Sequence, residues 1–365
     1  MRRSVQDTVY LLSCSVNDIV PDSERLVYMD LDSVYRLSSK HMVSASVAVA
    51  LNSAGVYEHK FSQMLARAQR KAVIFEKNIT QIFNCFETAG IWYMPLKGSI
   101  LKDLYPKFGM REMADIDILV DKERSMDVKQ IMLDLGFSVK SFGINNVDVY
   151  NKQPLSNIEI HKSLFGHQHD RKLYDYYSNI KTKLVKDEGN SFGFHFTPED
   201  FYVFMIAHEY KHYISGGTGL RSLLDTYVYL KSYNLNYEYI KQELGKLGVI
   251  EFEELNRNMA FALYDGIGEY DSELLEYFID SGTFGNVDHI VHNSITRSKG
   301  GKFSYIFRRA FGFRDGNYWD YLKQRHPTFY KYKIMLPFLP LYRLVYGIIK
   351  YPKRIKEEFR VLFKK

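Results

Sequence analysis

Apolar residues recur at alternating intervals of three and four between residues 60 and 90, which is the spacing of one buried face of an α-helix. Gly90 follows the last of them and is a natural helix end, because glycine tolerates a left-handed backbone. The preceding stretch, HMVSASVAVALNSAG, is also typical of a helix. We therefore predict a helical region over residues 1–90. The recurring apolar positions are Phe61, Leu65, Ala68, Ala72, Phe75, Ile79, Ile82 and Phe86.

From residue 91 the pattern changes to short segments in which polar and apolar residues alternate. A strand over residues 91–96 is followed by a brief helix that Ser99 caps and that ends before Pro106. A second helix is capped by Asp121 and ends at Gly136. Further strands are predicted over residues 115–120, 137–142, 147–152 and 158–163.

After residue 195 the pattern is helical again. The segment TPED at residues 197–200 has the pattern of a capping box, with Pro198 at the first helical position. Strands that lie between two helical regions indicate an α+β fold. The predicted parts are an N-terminal helical region (1–90), a sheet-containing core (91–195), a C-terminal helical domain (196–310) and a basic, partly apolar tail (311–365).

The composition is that of a folded protein outside the membrane. The chain has 365 residues and 46% of them are hydrophobic, which excludes a disordered chain. No apolar run is long enough for a spanning helix, and the N-terminal apolar stretch is too short and mixed for a signal peptide. Cys14 and Cys85 fit no metal-binding spacing and suit a reducing compartment, although a single disulfide stays open. We expect a cytoplasmic protein.

The net charge of +6 is concentrated in the tail. Residues 331–365 contain ten Lys or Arg against Glu357 and Glu358, a net of +8, so residues 1–330 sum to −2. An apolar stretch followed by a basic end can bind an anionic membrane surface or a polyanion. The alternative is a helix that packs back on its own domain with its lysines in water. Pro337, Pro340 and Arg343 interrupt the apolar stretch and argue against insertion into a bilayer.

Two aspartates lie two residues apart in the predicted strand DIDILV. Because side chains alternate along a strand, Asp115 and Asp117 share one face. If the later strand IEIH pairs beside this one, Glu159 joins them, and His161 lies on the same face. Three converging carboxylates form a site for Mg²⁺, or Mn²⁺, and a pair of such ions supports phosphoryl transfer. From this face His161 can touch substrate or metal in the cleft, and a role in orienting a carboxylate or in core packing is at least as open.

The tripeptide KGS at residues 97–99 precedes the aspartates and is suited to bind phosphates. Gly98 allows close approach of the backbone, and Ser99 offers a hydroxyl. Lys97 and Arg111 flank the proposed site and would neutralise phosphate charge. Ordinary surface ion pairs are the alternative for both cations.

These segments together resemble a known family. MPLKGSILKDLYPKFGMREMADIDILV, IEIH, TPEDFYVFMIAHEYKHY and LRSLLDTYVYL are similar to the uncharacterised nucleotidyltransferase family of the polymerase-β-like superfamily, over roughly residues 40 to 260. The resemblance implies a mixed β-sheet with flanking helices, and transfer of a nucleoside monophosphate from an NTP, such as ATP, with release of pyrophosphate. It implies that Gly98 and Ser99 hold the phosphates and that Asp115, Asp117 and Glu159 hold Mg²⁺. The third acid is Glu where Asp is commoner.

Two other functions remain open from the residues. HEYKH at residues 208–212 matches the pattern of a zinc-dependent hydrolase, in which His208 and His212 would bind zinc and Glu209 would act as base. In the nucleotidyltransferase reading the two histidines line or pack near the substrate cleft. The other alternative is a non-catalytic nucleotide-binding module. The acceptor hydroxyl, on a small molecule, an RNA end or a protein, and the oligomeric state are not encoded in any legible motif.

Overall fold

Five helices precede the first strand. The computed structural model describes residues 2–166, 170–296 and 326–363 together with residues 301, 305, 322 and 323. The predicted helical start of the chain is confirmed. These helices are α1 (Arg3–Val16), α2 (Ser23–Val27), α3 (Leu31–Lys40), α4 (Ser44–Ser53) and α5 (His59–Ala89).

Helix α5 is the long helix that the apolar spacing predicts. Its buried positions include Phe75, Ile82 and Phe86, which pack against the sheet. Gly90 ends it with φ of +66° and its N–H donates to the Phe86 carbonyl. The predicted C-cap is therefore confirmed, and the chain turns directly into the first strand.

The core of the fold is a five-stranded mixed sheet with the order β1-β2-β5-β4-β3. β2 pairs parallel with β5, and the other neighbours are antiparallel. The α+β prediction and the mixed sheet that the resemblance implies are both confirmed. The strands are β1 (Tyr93–Pro95), β2 (Ile116–Val120), β3 (Ser138–Ser141), β4 (Val147–Lys152) and β5 (Ser156–His161).

The two faces of this sheet have different environments. Ile116 and Ile118 of β2 lie with Ile158 and Ile160 of β5 in a core that α5 covers. The intervening side chains, Asp117 among them, therefore point to the opposite face. The alternation in the sequence thus places an apolar layer on one side of the sheet and the carboxylates on the other.

Two local predictions around these strands are wrong in detail. Ser99 does not cap the brief helix: α6 (Gly98–Leu101) has Lys97 at its N-cap position, and Ser99 lies inside its first turn. Asp121 accepts a hydrogen bond from the Glu123 N–H, but it caps a 3₁₀ turn that precedes the helix α7 (Ser125–Asp134). α6 is itself a single turn, and a single 3₁₀ turn precedes α7; the pattern of apolar residues cannot resolve pieces this short.

The region after the sheet is helical, as predicted. Thr197 caps the first long helix by accepting a hydrogen bond from the Asp200 N–H, and Pro198 takes the first helical position. A two-stranded sheet of β6 (Val185–Lys186) and β7 (Phe194–His195) precedes it and was not predicted. The helices are α8 (Arg171–Tyr177), α9 (Pro198–Ser215), α10 (Leu220–Ser232), α11 (Tyr237–Leu247), α12 (Ile250–Tyr264), α13 (Ser272–Ser281) and α14 (Val287–Thr296).

Helices from before and after the sheet share one hydrophobic core. Leu11 and Leu12 of α1 and Leu51 of α4 lie in the same buried cluster as Leu224 of α10 and Tyr264 of α12. The helices before the sheet and those directly after it therefore stabilise each other, on the side of the sheet that carries the carboxylates. The boundary predicted between residues 310 and 311 lies outside the described residues.

The described part of the tail contains α15 (Pro327–Lys331), α16 (Leu339–Lys350) and α17 (Pro352–Phe363). Among the described residues, no single helix has the length and apolar character to cross a membrane. A bent pair, Lys333–Lys350 with Ile355–Phe363 at an angle of 108°, meets those criteria of length and composition when its two halves are counted together.

Candidate active site

The parallel pairing of β2 with β5 brings two carboxylates together. Asp117 and Glu159 are Cα partners in the register, and His161 lies two residues further along β5 on the same face. Ligand atoms of these three side chains lie within 4.8 Å of one another. The cluster is therefore a direct product of the strand register.

Asp117 is held ionised by its neighbours. Nε2–H of His161 donates to one carboxylate oxygen over 2.7 Å, and the Lys97 ammonium lies 3.3 Å from the other. Burial alone would raise the pKa of Asp117, but Lys97 and His161 outweigh it and hold this pKa well below its usual range. A buried carboxylate that stays charged is suited to bind a cation.

The pKa values of Glu159 and Asp115 are raised rather than lowered. Burial, together with repulsion from Asp117 and Asp115, raises the pKa of Glu159 to about 7. Burial and repulsion from Asp117 also raise the pKa of Asp115, although Lys97 and Arg221 partly offset them. Asp115 precedes β2 and lines the same cavity as Asp117 and Glu159, but it is not one of the three side chains that cluster within 4.8 Å. Its predicted place as a metal ligand stays a prediction.

Lys97 connects the sheet to the helices that face it. The Leu96 N–H donates to the Asp117 carbonyl over 3.0 Å, so Lys97 leaves β1 directly beside the carboxylates. The backbone φ of Lys97 is +34°, a strained value for a residue with a side chain. Its ammonium donates to Nε2 of His208 on α9 over 3.0 Å. A strained residue that bridges two walls of a cleft is a common feature of functional sites.

Gly98 and Ser99 follow this lysine, and each has a distinct local environment. A Cβ on Gly98 would lie 2.8 Å from Nη1 of Arg111 and 2.8 Å from Cε of Met113, so any side chain there would displace the ends of these two side chains. The Ser99 hydroxyl is buried and has no hydrogen-bond partner among the described residues. An unsatisfied hydroxyl at the base of α6 is the kind of group that a ligand oxygen would pair with.

Arg111 is engaged in a buried ion pair. Its Nε and Nη2 donate to the two carboxylate oxygens of Asp225 over 2.7 and 2.8 Å. The Tyr105 hydroxyl also donates to Asp225. Although burial lowers the pKa of Arg111, Asp225 raises it above its usual value. Arg111 lines the cavity, but this geometry matches the ion-pair alternative, and its predicted contact with phosphate stays a prediction.

One cavity of about 550 Å³ lies between the sheet and helices α9 and α10. It is lined by Lys97, Gly98, Arg111 and the three carboxylates, but not by Ser99. Two cations on its wall, Lys211 and Arg221, were not singled out from the sequence. Burial and the nearby Lys97 ammonium lower the pKa of Lys211 to about 7. Lys211 lies within HEYKH, where the histidines drew attention, and no spacing rule distinguishes Arg221 from a surface arginine. The cavity therefore has an acidic floor and a basic wall.

The chain matches a known family model over more than half of its length. The model described as an uncharacterised nucleotidyltransferase matches residues 28–265. The chain belongs to this family. No curated protein and no solved structure gave a significant match. Membership of the uncharacterised nucleotidyltransferase family supports nucleotidyl transfer in general terms, and the match includes every side chain of the acidic cluster.

The zinc-hydrolase alternative finds no support in the geometry of the HEYKH segment. His208 and His212 lie together, with Nε2 atoms 3.3 Å apart, but His208 accepts from Lys97. Glu209 is buried and accepts a hydrogen bond from Asn256 of α12. In the described ranges, the cluster with metal-binding geometry is Asp117, Glu159 and His161, not the HEYKH motif.

The residues present fit a divalent metal ion. Asp117 and Glu159 supply the carboxylate oxygens that hard cations prefer, and Asp115 offers a further carboxylate on the same cavity. The cluster also contains a buried nitrogen, Nδ1 of His161, that has no hydrogen-bond partner among the residues that the structure describes. Chemically, the arrangement can hold a cation on the sheet and an anion against the basic wall.

Proposed function

We propose that this protein is a Mg²⁺-dependent nucleotidyltransferase that transfers a nucleoside monophosphate from an NTP to an acceptor hydroxyl. The observation that carries the proposal is the parallel register of β2 and β5, which sets Asp117 beside Glu159 on the floor of a cation-lined cavity. Family membership supports the same reaction class.

Asp117 and Glu159, with Asp115 beside them, are the residues that would hold Mg²⁺ or Mn²⁺. Bound there, the ions would neutralise charge on the triphosphate and on the attacking and leaving oxygens. His161 orients Asp117 through its hydrogen bond and so keeps the carboxylate directed into the cavity.

The basic wall is suited to bind the triphosphate. Lys97 lies at the junction of the carboxylates and α9, and Lys211 and Arg221 line the same cavity. The buried Ser99 hydroxyl, which has no hydrogen-bond partner among the described residues, would donate to a phosphate oxygen. These groups would position the α-phosphate over the acidic cluster.

Glu159, or the metal-bound carboxylates together, would accept the proton of the acceptor hydroxyl. The acceptor oxygen bonds to the α-phosphorus as the bond from that phosphorus to the bridging oxygen of the β-phosphate breaks. Pyrophosphate leaves with the displaced electron pair, and the hydroxyl proton passes to a carboxylate of this cluster.

The proposal is tested with the full chain and the substitution Asp117→Asn, which keeps the shape and removes the charge. Wild-type protein should bind at least one of ATP, CTP, GTP and UTP only with a divalent metal. At a hundredfold excess over Kd this binding should raise the free energy of unfolding by about 2.7 kcal/mol. Asp117→Asn should lower pyrophosphate release by roughly 100-fold or more.

Asp121→Asn is the matched control, because it removes a charge at the other end of β2 and preserves the cap. It should retain activity. Acceptors are supplied as pools of small metabolites, RNA and proteins. If no NTP binds with any divalent metal, the proposal is wrong. Binding without pyrophosphate release from any pool would support the non-catalytic module, and zinc lost only from a His208→Ala/His212→Ala variant would support the hydrolase.

A further inference from the structure

An aromatic side chain stands exposed at the rim of the catalytic cavity. Phe284 is 78% exposed and lines the same cavity as Asp117 and Glu159. It lies in the loop between α13 and α14, beyond the residues that the family model matches. A single exposed phenyl ring is ordinary on a protein surface, but this ring lines the cavity that holds the acidic cluster, where a bound ligand would cover it.

The loop that carries Phe284 is fixed to the body at both ends. The Thr283 N–H donates to the Lys40 carbonyl over 3.2 Å, and the Asn286 N–H donates to the Gly216 carbonyl over 2.9 Å. Gly285 has φ of +71°, and a Cβ there would lie 2.6 Å from the Gly216 oxygen. The backbone that carries the ring is therefore held at a set position beside the cavity.

Unsatisfied polar atoms lie in the same cavity. The Thr283 hydroxyl and the Asn145 Oδ1 atom are both buried and lack a hydrogen-bond partner among the described residues. Buried polar atoms are normally paired, so two such atoms in one cavity point to a polar ligand. A planar aromatic ring with polar edges satisfies both features, because its face stacks on phenylalanine and its edge reaches the polar atoms.

We propose that Phe284 is a stacking surface for the nucleobase of the NTP donor, with Thr283 and Asn145 as hydrogen-bonding partners of the bound nucleoside. The inference rests on the proposed function, since the acidic cluster would take the triphosphate of the same molecule. It names the part of the cavity that distinguishes a nucleotide from a simple polyphosphate.

The test compares the four NTPs with inorganic tripolyphosphate, each with Mg²⁺, by calorimetric titration of the full chain. Phe284→Ala should weaken binding of the preferred NTP by about 5- to 150-fold and leave tripolyphosphate binding unchanged. Phe284→Tyr keeps a stacking ring and should bind the NTP like the wild type. Tyr57→Ala removes an aromatic ring that is 75% exposed elsewhere and should have no effect.

Three results would overturn the inference. If Phe284→Ala binds every NTP as wild type does, the base site is wrong while the proposed function stands. If it keeps NTP affinity but raises KM for an acceptor pool, the ring serves the acceptor and not the donor. If wild-type protein binds neither NTP nor tripolyphosphate, the proposed function and the base site both fail.

Discussion

At the scale of single residues, neighbouring carboxylates of the acidic cluster are held in different protonation states. Lys97 and His161 keep the pKa of Asp117 low, whereas burial and the charge of Asp117 raise the pKa of Glu159 to about 7. At neutral pH one carboxylate is therefore always charged and the other is near its midpoint. A site of this kind couples cation binding to proton release.

The affinity for Mn²⁺ alone should consequently rise with pH through about 7. Below that pH Glu159 carries a proton that a metal ion must displace, so affinity should increase by up to about tenfold per pH unit and then level off. Lys211 loses its charge in the same range and favours the same direction. Titration of metal-free protein with Mn²⁺ between pH 5.5 and 8.5 measures the effect.

Two variants separate the contributions of these groups. Glu159→Gln should bind Mn²⁺ more weakly and remove most of the pH dependence, whereas Lys211→Met should keep it. A pH profile in Glu159→Gln that matches the wild type would show that Glu159 does not ligate the metal.

Residue types and spacing could predict Asp117, Glu159 and their shared face, because strand alternation fixes which side chains lie together. They could not predict the partner of Arg111, since Asp225 lies 114 residues away in sequence and meets it only through the packing of α10. The bridge from Lys97 to His208 has the same origin, across 111 residues. Long-range contacts of this kind depend on the tertiary fold and leave no local pattern.

At the scale of elements, the long helix α5 and the strands of the main sheet were predictable, and the short pieces between them were not. α6 has four residues, and Gly98 within it packs closely on Arg111 and Met113. A single turn carries too few residues for a period to show. The start of α6 therefore leaves no signal in the pattern of apolar residues.

Glycine-to-alanine substitutions at a closely packed and at an open helical position should change the free energy of unfolding in opposite directions. Gly98→Ala should lower the free energy of unfolding by about 1–3 kcal/mol, because the added methyl overlaps Arg111 and Met113. Gly245→Ala in α11 meets no atom within 4 Å and should raise it by about 0.5–1 kcal/mol through helix propensity. Chemical denaturation of both variants and the wild type measures the effects, and equal stability of Gly98→Ala and wild type would contradict the packing argument.

At the scale of the whole molecule, the two alternatives for the tail each describe one of its helices. α17 packs back on the body: Leu362 lies in a small buried cluster with Val291, and Arg360 lies 3.4 Å from Asp288. α16 buries Leu339 but leaves other apolar side chains in water, since Leu341 is 62% exposed and Ile349 is 75% exposed. The apolar side of α16 is thus left largely uncovered by the described body, and its segment has a net charge of +8. Both features complement an anionic membrane surface, which offers an apolar interior and negative headgroups.

Membrane contact of the tail stays a prediction, and α16 is the element to test. Leu341→Asp/Ile349→Asp changes two exposed positions and leaves the contacts of α17 in place, so it should abolish cosedimentation with phosphatidylserine-containing vesicles without changing NTP affinity. Val27→Asp/Ile267→Asp alters the net charge equally at sites that are 79% and 64% exposed, and it should bind vesicles like the wild type. Wild-type binding should weaken as salt rises, because the basic residues attract anionic lipid. Equal vesicle binding by both variants would exclude α16 as the membrane contact, and no binding by the wild type would exclude membrane contact of the tail. Loss of a dimer in the α16 variant would assign that face to a second copy of the chain.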